Sequence, residues 1–343
     1  MNHTRKPLQS LRAAVLLGAG SVFLMGKALP ARAADEAAPA PDPVGFLIRT
    51  NYHGWANALL LSNGRVEAVI VPAIGRVMQF RLAGETDGPF WENESLYGTL
   101  PDPKGANWLN FGGDKAWPAP QSEWKRVTAR AWPAPAGFDA GPFEASVNGW
   151  VVTLTSPVDP HYGIRTRRVI KLAIDEPVMS ITTSFEKVSG QSLQVSVWGV
   201  TQLKDPVTVY APLIASSRFR EGYVLQSENP PPSLRTRSGG LTLTRSPKEA
   251  HKIGTDGGTL LWMSTDQVLR IDSPRQVLLA YPDEGASAEV YTCPDPLPYV
   301  ELELLGPLTK MKKGEQICRT STYTLLRRTE SDPELEARKL LLR

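Results

Sequence analysis

Two glutamates near the end of the chain have the spacing that acid–base chemistry can use. Glu301 and Glu303 lie two residues apart within residues 299–304, and on a β-strand such a pair points to one face of the sheet. If that face lines a cleft, mutual repulsion and partial burial raise the pKa of at least one carboxyl group, as general acid–base catalysis requires. If the face is exposed to solvent, the two glutamates are ordinary surface charges.

A second motif, NFGGDKAWPAPQ at residues 110–121, offers the groups that a polar ligand needs. Its two glycines allow a close backbone approach, and its prolines stiffen the predicted loop. Asp114 and Lys115 supply an acid and a base. Trp117 and Gln121 add an indole for stacking and an amide for hydrogen bonds. The alternative interpretation is an exposed Asp114–Lys115 pair on a turn, which would mean little.

Tryptophan is concentrated around this motif. Four of the nine tryptophans fall at positions 108, 117, 124 and 132. Indole faces suit stacking on the apolar C–H face of a sugar ring, and loops on a sheet scaffold often carry binding residues. Alternatively, the indoles cover the end of a β-sandwich.

One of the three histidines that follow residue 33 is a candidate acid or base. His53 lies in NYHGW at residues 51–55, and an imidazole titrates near neutral pH; alternatively, it packs on Trp55 within a turn. His161 and His251 are predicted on surface loops. No histidine pair has a metal-site spacing and the cysteines form no C-x-x-C motif, so we predict neither a metal nor a cofactor.

The N-terminal segment predicts export. Three basic residues precede and flank an apolar run that ends at residue 25, and Ala-Arg-Ala at 31–33 fits a cleavage site, so residues 1–33 are a predicted signal peptide. Cleavage near Ala33 would leave a periplasmic or secreted protein. The apolar run is shorter than the ~20 residues of a membrane span. Without the leader, 33 basic residues face 35 acidic ones, which leaves no electrostatic footprint for nucleic acid.

Both cysteines, Cys293 and Cys318, lie in the predicted exported part. A disulfide bond is chemically permitted there. The alternative is that each is a small buried residue on a strand of its own. The sequence does not decide between the two.

Short apolar or alternating runs broken by turn residues dominate residues 44–328, a pattern typical of β-strands. The Asn63-Gly64 pair predicts a hairpin between strands at 56–61 and 66–71, with positive φ at both residues. Further strands are predicted at 76–82, 150–155, 164–174, 179–187, 193–200, 259–263, 268–271, 277–279, 288–291, 300–304 and 317–326. Helical periodicity is almost absent, which argues against parallel βαβ units.

These elements predict an all-β fold in which residues 44–328 form one large antiparallel β-sandwich. Residues 34–43 are rich in Ala and Pro and predict a flexible linker. The sequence SDPE at 331–334 combines a capping-box spacing with a helix-start proline. Residues 329–343 are therefore a predicted C-terminal tail that contains a short helix.

Several motifs together resemble an uncharacterised bacterial family, the domain of unknown function 4380. The resemblance covers residues 51–326 and is carried by His53-Gly54-Trp55, Ser62-Asn63-Gly64, Gly75-Arg76-Val77-Met78, residues 112–121, residues 198–202, Tyr281-Pro282-Asp283, Glu301-Leu302-Glu303 and Gly306-Pro307. More distantly, that family is similar to galactose mutarotases, also called aldose 1-epimerases. The likeness implies a β-supersandwich with a sugar site on one concave sheet.

The distant likeness also implies roles for individual residues. In a mutarotase, a carboxylate takes the proton of the anomeric hydroxyl and a histidine protonates the ring oxygen. Glu303, or failing it Glu301, matches the carboxylate. The histidine position is occupied by Trp198, and an indole cannot exchange a proton at neutral pH. His53 and Lys115 are the candidate substitutes.

The motifs and the resemblance define a set of candidate site residues. The catalytic candidates are Glu303, Glu301 and His53, and the ligand-binding candidates are Trp55, Arg76, Asp114, Lys115, Trp117, Gln121, Trp198 and Gln202. Arg76 is the candidate clamp for a hydroxyl or carboxylate group. We expect a small carbohydrate or glycan as the partner of a monomer, with no nucleic acid and no membrane span in the mature chain.

Three functions remain open from the sequence. An enzyme of the aldose-epimerase kind needs Glu303 and a proton donor in one pocket. A non-catalytic glycan-binding module needs only indoles and hydrogen-bonding groups there, and Trp198 favours it. A structural or interaction protein of the cell envelope would expose a broad apolar patch away from the cleft.

Overall fold

Two β-sheets of antiparallel strands form the framework of the described part of the chain. The computed structural model describes residues 45–101, 108–139, 141–237 and 239–342. The predicted signal peptide at 1–33 and the predicted linker at 34–43 lie outside these described residues. Strands are numbered in chain order, and neighbours in each sheet are paired antiparallel.

The first sheet has eleven strands. Ten of them follow one another across the sheet in the order β1 (Phe46–Tyr52), β2 (Trp55–Ser62), β3 (Val66–Val71), β4 (Arg76–Leu82), β5 (Asp114–Ala119), β10 (Leu193–Lys204), β19 (Tyr299–Leu305), β18 (Ala288–Thr292), β15 (His251–Thr255) and β12 (Val224–Leu225). The eleventh, β20 (Thr309–Met311), pairs with the start of β10.

The second sheet has ten strands. Their order is β13 (Arg235–Arg237), β14 (Gly240–Leu243), β11 (Thr208–Pro212), β16 (Thr259–Met263), β17 (Gln267–Asp272), β21 (Gln316–Arg327), β9 (Val178–Lys187), β8 (Ile164–Leu172), β7 (Val151–Val158) and β6 (Glu144–Asn148). The α-helices are α1 (Trp124–Thr128), α2 (Ala136–Asp139) and α3 (Pro333–Leu341), and single 3-10 turns lie at Pro72–Ile74, Glu94–Leu96, Gln121–Glu123 and Asp283–Gly285.

Apolar side chains from both sheets meet in one core. Leu59 and Phe80 from the first sheet are fully buried in the same cluster as Leu154, Ile170 and Leu325 from the second. Alternation along the strands explains this arrangement, because every second side chain points into the space between the sheets. The inner face of the first sheet therefore serves the core and leaves its outer face for other contacts.

A buried polar cluster joins the two sheets within this core. Arg168 on β8 forms an ion pair with Asp114 on β5, and its Nη1 also donates to the Asp114 carbonyl oxygen at 3.0 Å. The hydroxyl groups of Thr201 and Tyr323 each donate to Asp114 Oδ2 at 2.7 Å. A buried charge needs such partners, so this cluster fixes the position of β5 relative to the second sheet.

The first hairpin forms where it was predicted, but its turn differs from the prediction. Of the two turn residues, Gly64 has a positive φ of 78°, whereas Asn63 is outside the left-handed region. Asn63 is buried, accepts hydrogen bonds from the amides of Arg65 and Val66, and donates to the carbonyl oxygens of Ala173 and Glu176. Its side chain thus ties this turn to the loop between β8 and β9, and this role determines its backbone conformation.

Residues 114–119 of the glycine- and proline-rich motif form a central strand, not the predicted loop. β4 pairs with β5 only at Val77 and Asp114, so the Pro118 end of β5 has a partner strand on one side only, where a proline is tolerated. Gly113 has a φ of 69°, and a Cβ there would lie 2.6 Å from the Val77 carbonyl oxygen. The motif's glycines therefore serve backbone packing.

The predicted strand at 277–279 is wrong. These residues form an exposed turn in which Leu278 is 99% exposed and has a φ of 69°. Both cysteines are free: Cys293 is buried and Cys318 is exposed.

The predicted C-terminal helix is confirmed as α3. Asp332 caps it by accepting hydrogen bonds from the amides of Glu334 and Leu335, and Pro333 occupies the first turn. Ala337 and Leu340 bury its apolar side against the second sheet. Within the described residues, no helix has both the length and the apolar composition that crossing a membrane requires.

We expect Arg168→Met to lower the free energy of unfolding by about 3–5 kcal/mol, because the buried Asp114 carboxylate loses its cation. The matched control is Arg167→Met, an exposed residue of the same strand, which should change stability by less than about 0.5 kcal/mol. Urea unfolding followed by circular dichroism measures both. Equal stabilities for the two variants would contradict the role given to the ion pair.

Candidate functional site

Strand register brings a set of charged and aromatic residues together on the outer face of the first sheet. Trp117 on β5 lies opposite Trp198 on β10. Glu303 on β19 lies opposite Glu289 on β18, and Glu301 lies opposite Gln202 on β10. Residues directly opposite each other share a face, so these side chains form one surface across β5, β10, β19 and β18.

A pocket of about 330 Å³ opens on this face. Its aromatic wall consists of Trp108, Trp117, Trp132, Trp198, Tyr291 and Tyr299. The other lining residues are Gln121, Gln226, Ser227, Ala250, His251, Lys252, Glu301 and Glu303. Aromatic walls with a few convergent polar groups are typical of small-molecule sites.

The Lys252 ammonium lies between two buried carboxylates at one end of the pocket. Its Nζ is 2.7 Å from Glu289 Oε2 and 2.8 Å from Glu303 Oε2. It also lies 4.6 Å from the centre of the Trp198 ring, a cation–π distance. The Trp198 indole donates to Glu303 Oε2 at 2.8 Å, and Gln226 Nε2 donates to Glu289 Oε1 at 2.8 Å. This group is called the Lys252 cluster below.

The protonation of the Lys252 cluster follows from its burial and charge. Burial raises the pKa of Glu303 well above its ordinary value; Lys252 opposes the shift, and Glu289 and Glu301 add to it. Burial alone would lower the pKa of Lys252, but the two glutamates outweigh it and the pKa rises. Lys252 therefore stays charged at neutral pH, and Glu303 retains a proton more readily than an exposed glutamate does.

A second charged pair lies beside the Lys252 cluster. Lys115 Nζ is 3.4 Å from Glu301 Oε1 and 4.7 Å from the centre of the Trp117 ring. Lys115 is buried, which lowers its pKa, and Glu301 opposes that shift. The neighbouring Gln202 is fully buried, and its side-chain amide makes no hydrogen bond within the described part of the chain.

One carboxylate positions the indoles of Trp108 and Trp117 in the aromatic wall. Asp139 on α2 accepts hydrogen bonds from the indoles of Trp117 and Trp108, each at 2.8 Å. Arg76 Nη2 donates to the same carboxylate at 2.7 Å, and the Arg76 side chain is buried. Trp132 packs against Trp108 with ring centres 4.9 Å apart and is 46% exposed. Arg76 therefore positions the wall through Asp139.

The structure brings together most of the residues selected from the sequence. Glu301, Glu303, Trp117, Gln121 and Trp198 line the pocket. Lys115 contacts Glu301, and Gln202 lies beside it on the same face.

Four selected residues lie elsewhere, and the first is Arg76, the predicted ligand clamp, which binds the Asp139 carboxylate and does not line the pocket. The Trp55 indole is buried and donates to the Thr99 carbonyl oxygen at 2.7 Å. Asp114 belongs to the cluster between the sheets. His53 stacks on Tyr97 with ring centres 4.0 Å apart, not on Trp55, and it lines a separate cavity.

Sequence reasoning missed several residues of the pocket and of the Lys252 cluster. Lys252, Glu289, Gln226 and the two tyrosines were not selected, and His251 was predicted on the surface although it is buried in the pocket wall. One signal was available: Glu289 is a single acid within the apolar strand AEVYT. Over residues 45–101, 108–139, 141–237 and 239–342, no group of three His, Cys, Asp or Glu side chains is arranged to hold a metal ion.

Solved structures of galactose mutarotase-like proteins are similar to this chain over most of its length. One from Clostridium acetobutylicum is 8% identical with a TM-score of 0.53, and the alignment covers 82% of this chain and 99% of that one. One from Lactobacillus casei is 11% identical with a TM-score of 0.52, covering 78% and 100%. A candidate aldose 1-epimerase from Escherichia coli K12 is 14% identical with a TM-score of 0.51, covering 78% and 98%.

These likenesses confirm the predicted fold class, a galactose mutarotase-like arrangement of antiparallel sheets with a short C-terminal helix. At such low identity they show the fold alone. No protein-family model matches the sequence. No curated protein sequence matches it either.

We expect Lys252→Met to destabilise the protein more at about pH 8 than at about pH 5. Without the ammonium, the buried Glu303 carboxyl holds a proton that the unfolded chain releases, so the free energy of unfolding falls as pH rises. Lys310→Met, which removes an exposed ammonium, is the control. Urea titrations at both pH values, each compared with the unsubstituted protein, measure the effect. A pH-independent loss would contradict the charge arrangement derived above.

Proposed function

We propose that the protein binds a sugar in the pocket on the outer face of the first sheet. The observation that carries the proposal is the pairing of an indole wall with a floor of carboxylate and ammonium groups. A sugar ring has an apolar C–H face that stacks on indoles and a rim of hydroxyl groups that charged side chains bind well. The pocket offers both at once within one cavity.

The size of the pocket supports a small ligand. A volume of about 330 Å³ lies at the lower end of the range for ligand pockets. We infer that one sugar ring enters, either a free monosaccharide or the terminal ring of a glycan. The solved structures support a carbohydrate-related fold, and because fold alone does not define function, the proposal rests on the pocket.

The motif resemblance adds a family to this proposal, and the predicted signal peptide adds a location. We infer membership in the domain of unknown function 4380 from the motifs around His53, Arg76, Trp117 and Glu303. From the predicted signal peptide we infer that the protein is exported to the periplasm or outside the cell, where it would encounter the sugar.

We expect Trp132→Ala to weaken sugar binding by about tenfold, because it removes a stacking surface from the pocket. Trp150→Ala is a matched control, since Trp150 is 43% exposed, close to the 46% of Trp132, and does not line the pocket. Calorimetric titration with a panel of mono- and oligosaccharides measures both variants. Equal losses in the two variants would contradict this site. If no sugar binds, the envelope-interaction function gains support, with the exposed turn at 277–279 as its surface.

A second candidate function is the interconversion of sugar anomers, and the raised pKa of Glu303 favours it. Opening an aldose ring removes a proton from the O1 hydroxyl and delivers a proton to the ring oxygen O5. A buried carboxyl that retains its proton can donate at O5. Glu301 lines the same pocket and is the candidate acceptor for the O1 proton. Closure on the other face of the carbonyl returns both protons.

This assignment reverses the role that the mutarotase likeness implies for Glu303. The likeness makes Glu303 the base and places the acid at the position of Trp198. In this chain the Trp198 indole donates to Glu303 and cannot exchange its own proton. Lys252 lies at the same end of the pocket but holds its proton tightly, because the two glutamates raise its pKa. Glu303 therefore takes the acid role if the pocket is catalytic.

We expect Glu303→Gln to slow anomer exchange by about a hundredfold or more while sugar affinity changes little, because the amide keeps the hydrogen bonds but cannot donate and recover the proton. Exchange in the unsubstituted protein should fall as pH rises through the pKa of Glu303, since the acid form is then lost. NMR exchange spectroscopy measures the rate. Glu144→Gln, at an exposed position, is the control. Binding without exchange in the unsubstituted protein would exclude this function and leave the binding module.

A further inference from the structure

A second cavity, of about 510 Å³, lies apart from the sugar pocket. It is lined by Tyr52, His53, Thr86, Asp87, Phe90, Trp91, Glu92, Glu94, Tyr97, Lys204, Asp205 and Pro298. Trp91 lines this cavity and Tyr299 lines the sugar pocket, and the centres of their rings are 4.6 Å apart. This aromatic pair lies between the two cavities. His53, selected from the sequence, belongs to this cavity.

Glu92 is the buried acid of this second cavity. Its side chain is 7% exposed. Its Oε1 accepts hydrogen bonds from the Tyr52 hydroxyl at 2.6 Å and from Gln79 Nε2 at 3.1 Å. Its Oε2 has no hydrogen-bond partner among the described residues, and His53 Nε2 lies 3.8 Å away. A carboxylate oxygen buried without a donor is costly, and so Glu92 has one acceptor position open.

The cations near Glu92 do not neutralise it. Lys204 forms an ion pair with Asp87, and Arg81 forms one with Glu67. Burial lowers the pKa of His53, so its imidazole is uncharged at neutral pH. Burial also raises the pKa of Glu92 to about 7; Tyr52, Gln79 and Lys204 oppose the shift without cancelling it, and Asp87 adds to it.

The cavity as a whole is acidic and aromatic. Its lining contains four carboxyl groups, those of Asp87, Glu92, Glu94 and Asp205, against the single ammonium of Lys204. The Tyr97 hydroxyl lies near Glu92, and burial followed by the Glu92 charge raises the pKa of that hydroxyl. An organic ammonium group prefers surroundings of this kind, in which aromatic rings lie beside a carboxyl group that no cation fully neutralises.

We propose that this second cavity is a binding site for a small ligand that carries a primary or secondary ammonium group, whose N–H donates to Glu92 Oε2. The ammonium supplies the missing donor and the missing positive charge, within a cavity that Tyr97 and Trp91 also line. His53 then forms the outer wall of an amine site and takes no part in the sugar pocket. The site is independent of the function proposed for that pocket.

Calorimetric titration with ethanolamine tests the proposal, with ethylene glycol as the neutral probe of nearly equal size. We expect ethanolamine to bind and ethylene glycol to bind at least about tenfold more weakly. Glu92→Gln should weaken ethanolamine binding by about tenfold or more. Glu176→Gln is the matched control, since Glu176 is exposed and lies outside the cavity, and it should leave the affinity unchanged.

Two further readouts locate the amine. Binding near pH 7 should release protons, because the ammonium favours the ionised form of Glu92 and lowers its pKa from about 7. Titrations in buffers of different ionisation enthalpy measure this release, which Glu92→Gln should abolish. Trp132→Ala should not alter ethanolamine binding. The proposal is overturned by equal binding of the two probes, by full affinity in Glu92→Gln, by loss of binding in Trp132→Ala, or by no detectable binding to the unsubstituted protein.

Discussion

The ion pair between Arg168 and Asp114 is the constraint on which the arrangement of the outer face depends. Asp114 and Lys115 are neighbours in β5, and their side chains point to opposite faces of the sheet. With Asp114 bound between the sheets by Arg168, Thr201 and Tyr323, Lys115 and Trp117 must face outward. A shift of one residue would bury Lys115 in the core and remove Trp117 from the pocket. The inner cluster therefore determines which side chains the outer face presents.

Charge balance distinguishes the two cavities on either side of Trp91 and Tyr299. In the pocket on the outer face of the first sheet, Lys252 lies within 2.8 Å of carboxylate oxygens of both Glu289 and Glu303, and only one net negative charge remains if both are ionised. In the second cavity, the buried Glu92 has tyrosine and amide donors but no fixed cation. Hydrogen bonds from neutral groups compensate a carboxylate less well than a cation does, which is why the first site suits a neutral ligand and the second a cationic one.

Alternation made part of the site predictable from the sequence. Glu301 and Glu303 were expected on one face, and they line one pocket; the wall residues Trp117 and Trp132 came from the tryptophan-rich segment. Lys252 and Glu289 were missed because their nearness to Glu303 depends on the order β15–β18–β19 across the sheet, and local patterns do not contain that order. Asp114 was grouped with Lys115 because the segment was predicted as a loop, where neighbouring side chains need not separate. In a strand with a core on one side, the side chains of Asp114 and Lys115 must point to opposite faces of the sheet.

Trp198, at the position where the mutarotase likeness implies a histidine, decides less about catalysis than the sequence implied. An indole removes the acid that a mutarotase would use, yet its N–H donates to Glu303 Oε2 beside the Lys252 ammonium, so this oxygen is fixed as an acceptor. A proton retained by Glu303 must then reside on Oε1, because both of those donors occupy Oε2. The same interactions that would orient a sugar hydroxyl in a binding module would thus also orient a catalytic proton. The protonation state of Glu303, set by burial against the pull of Lys252, separates the two functions.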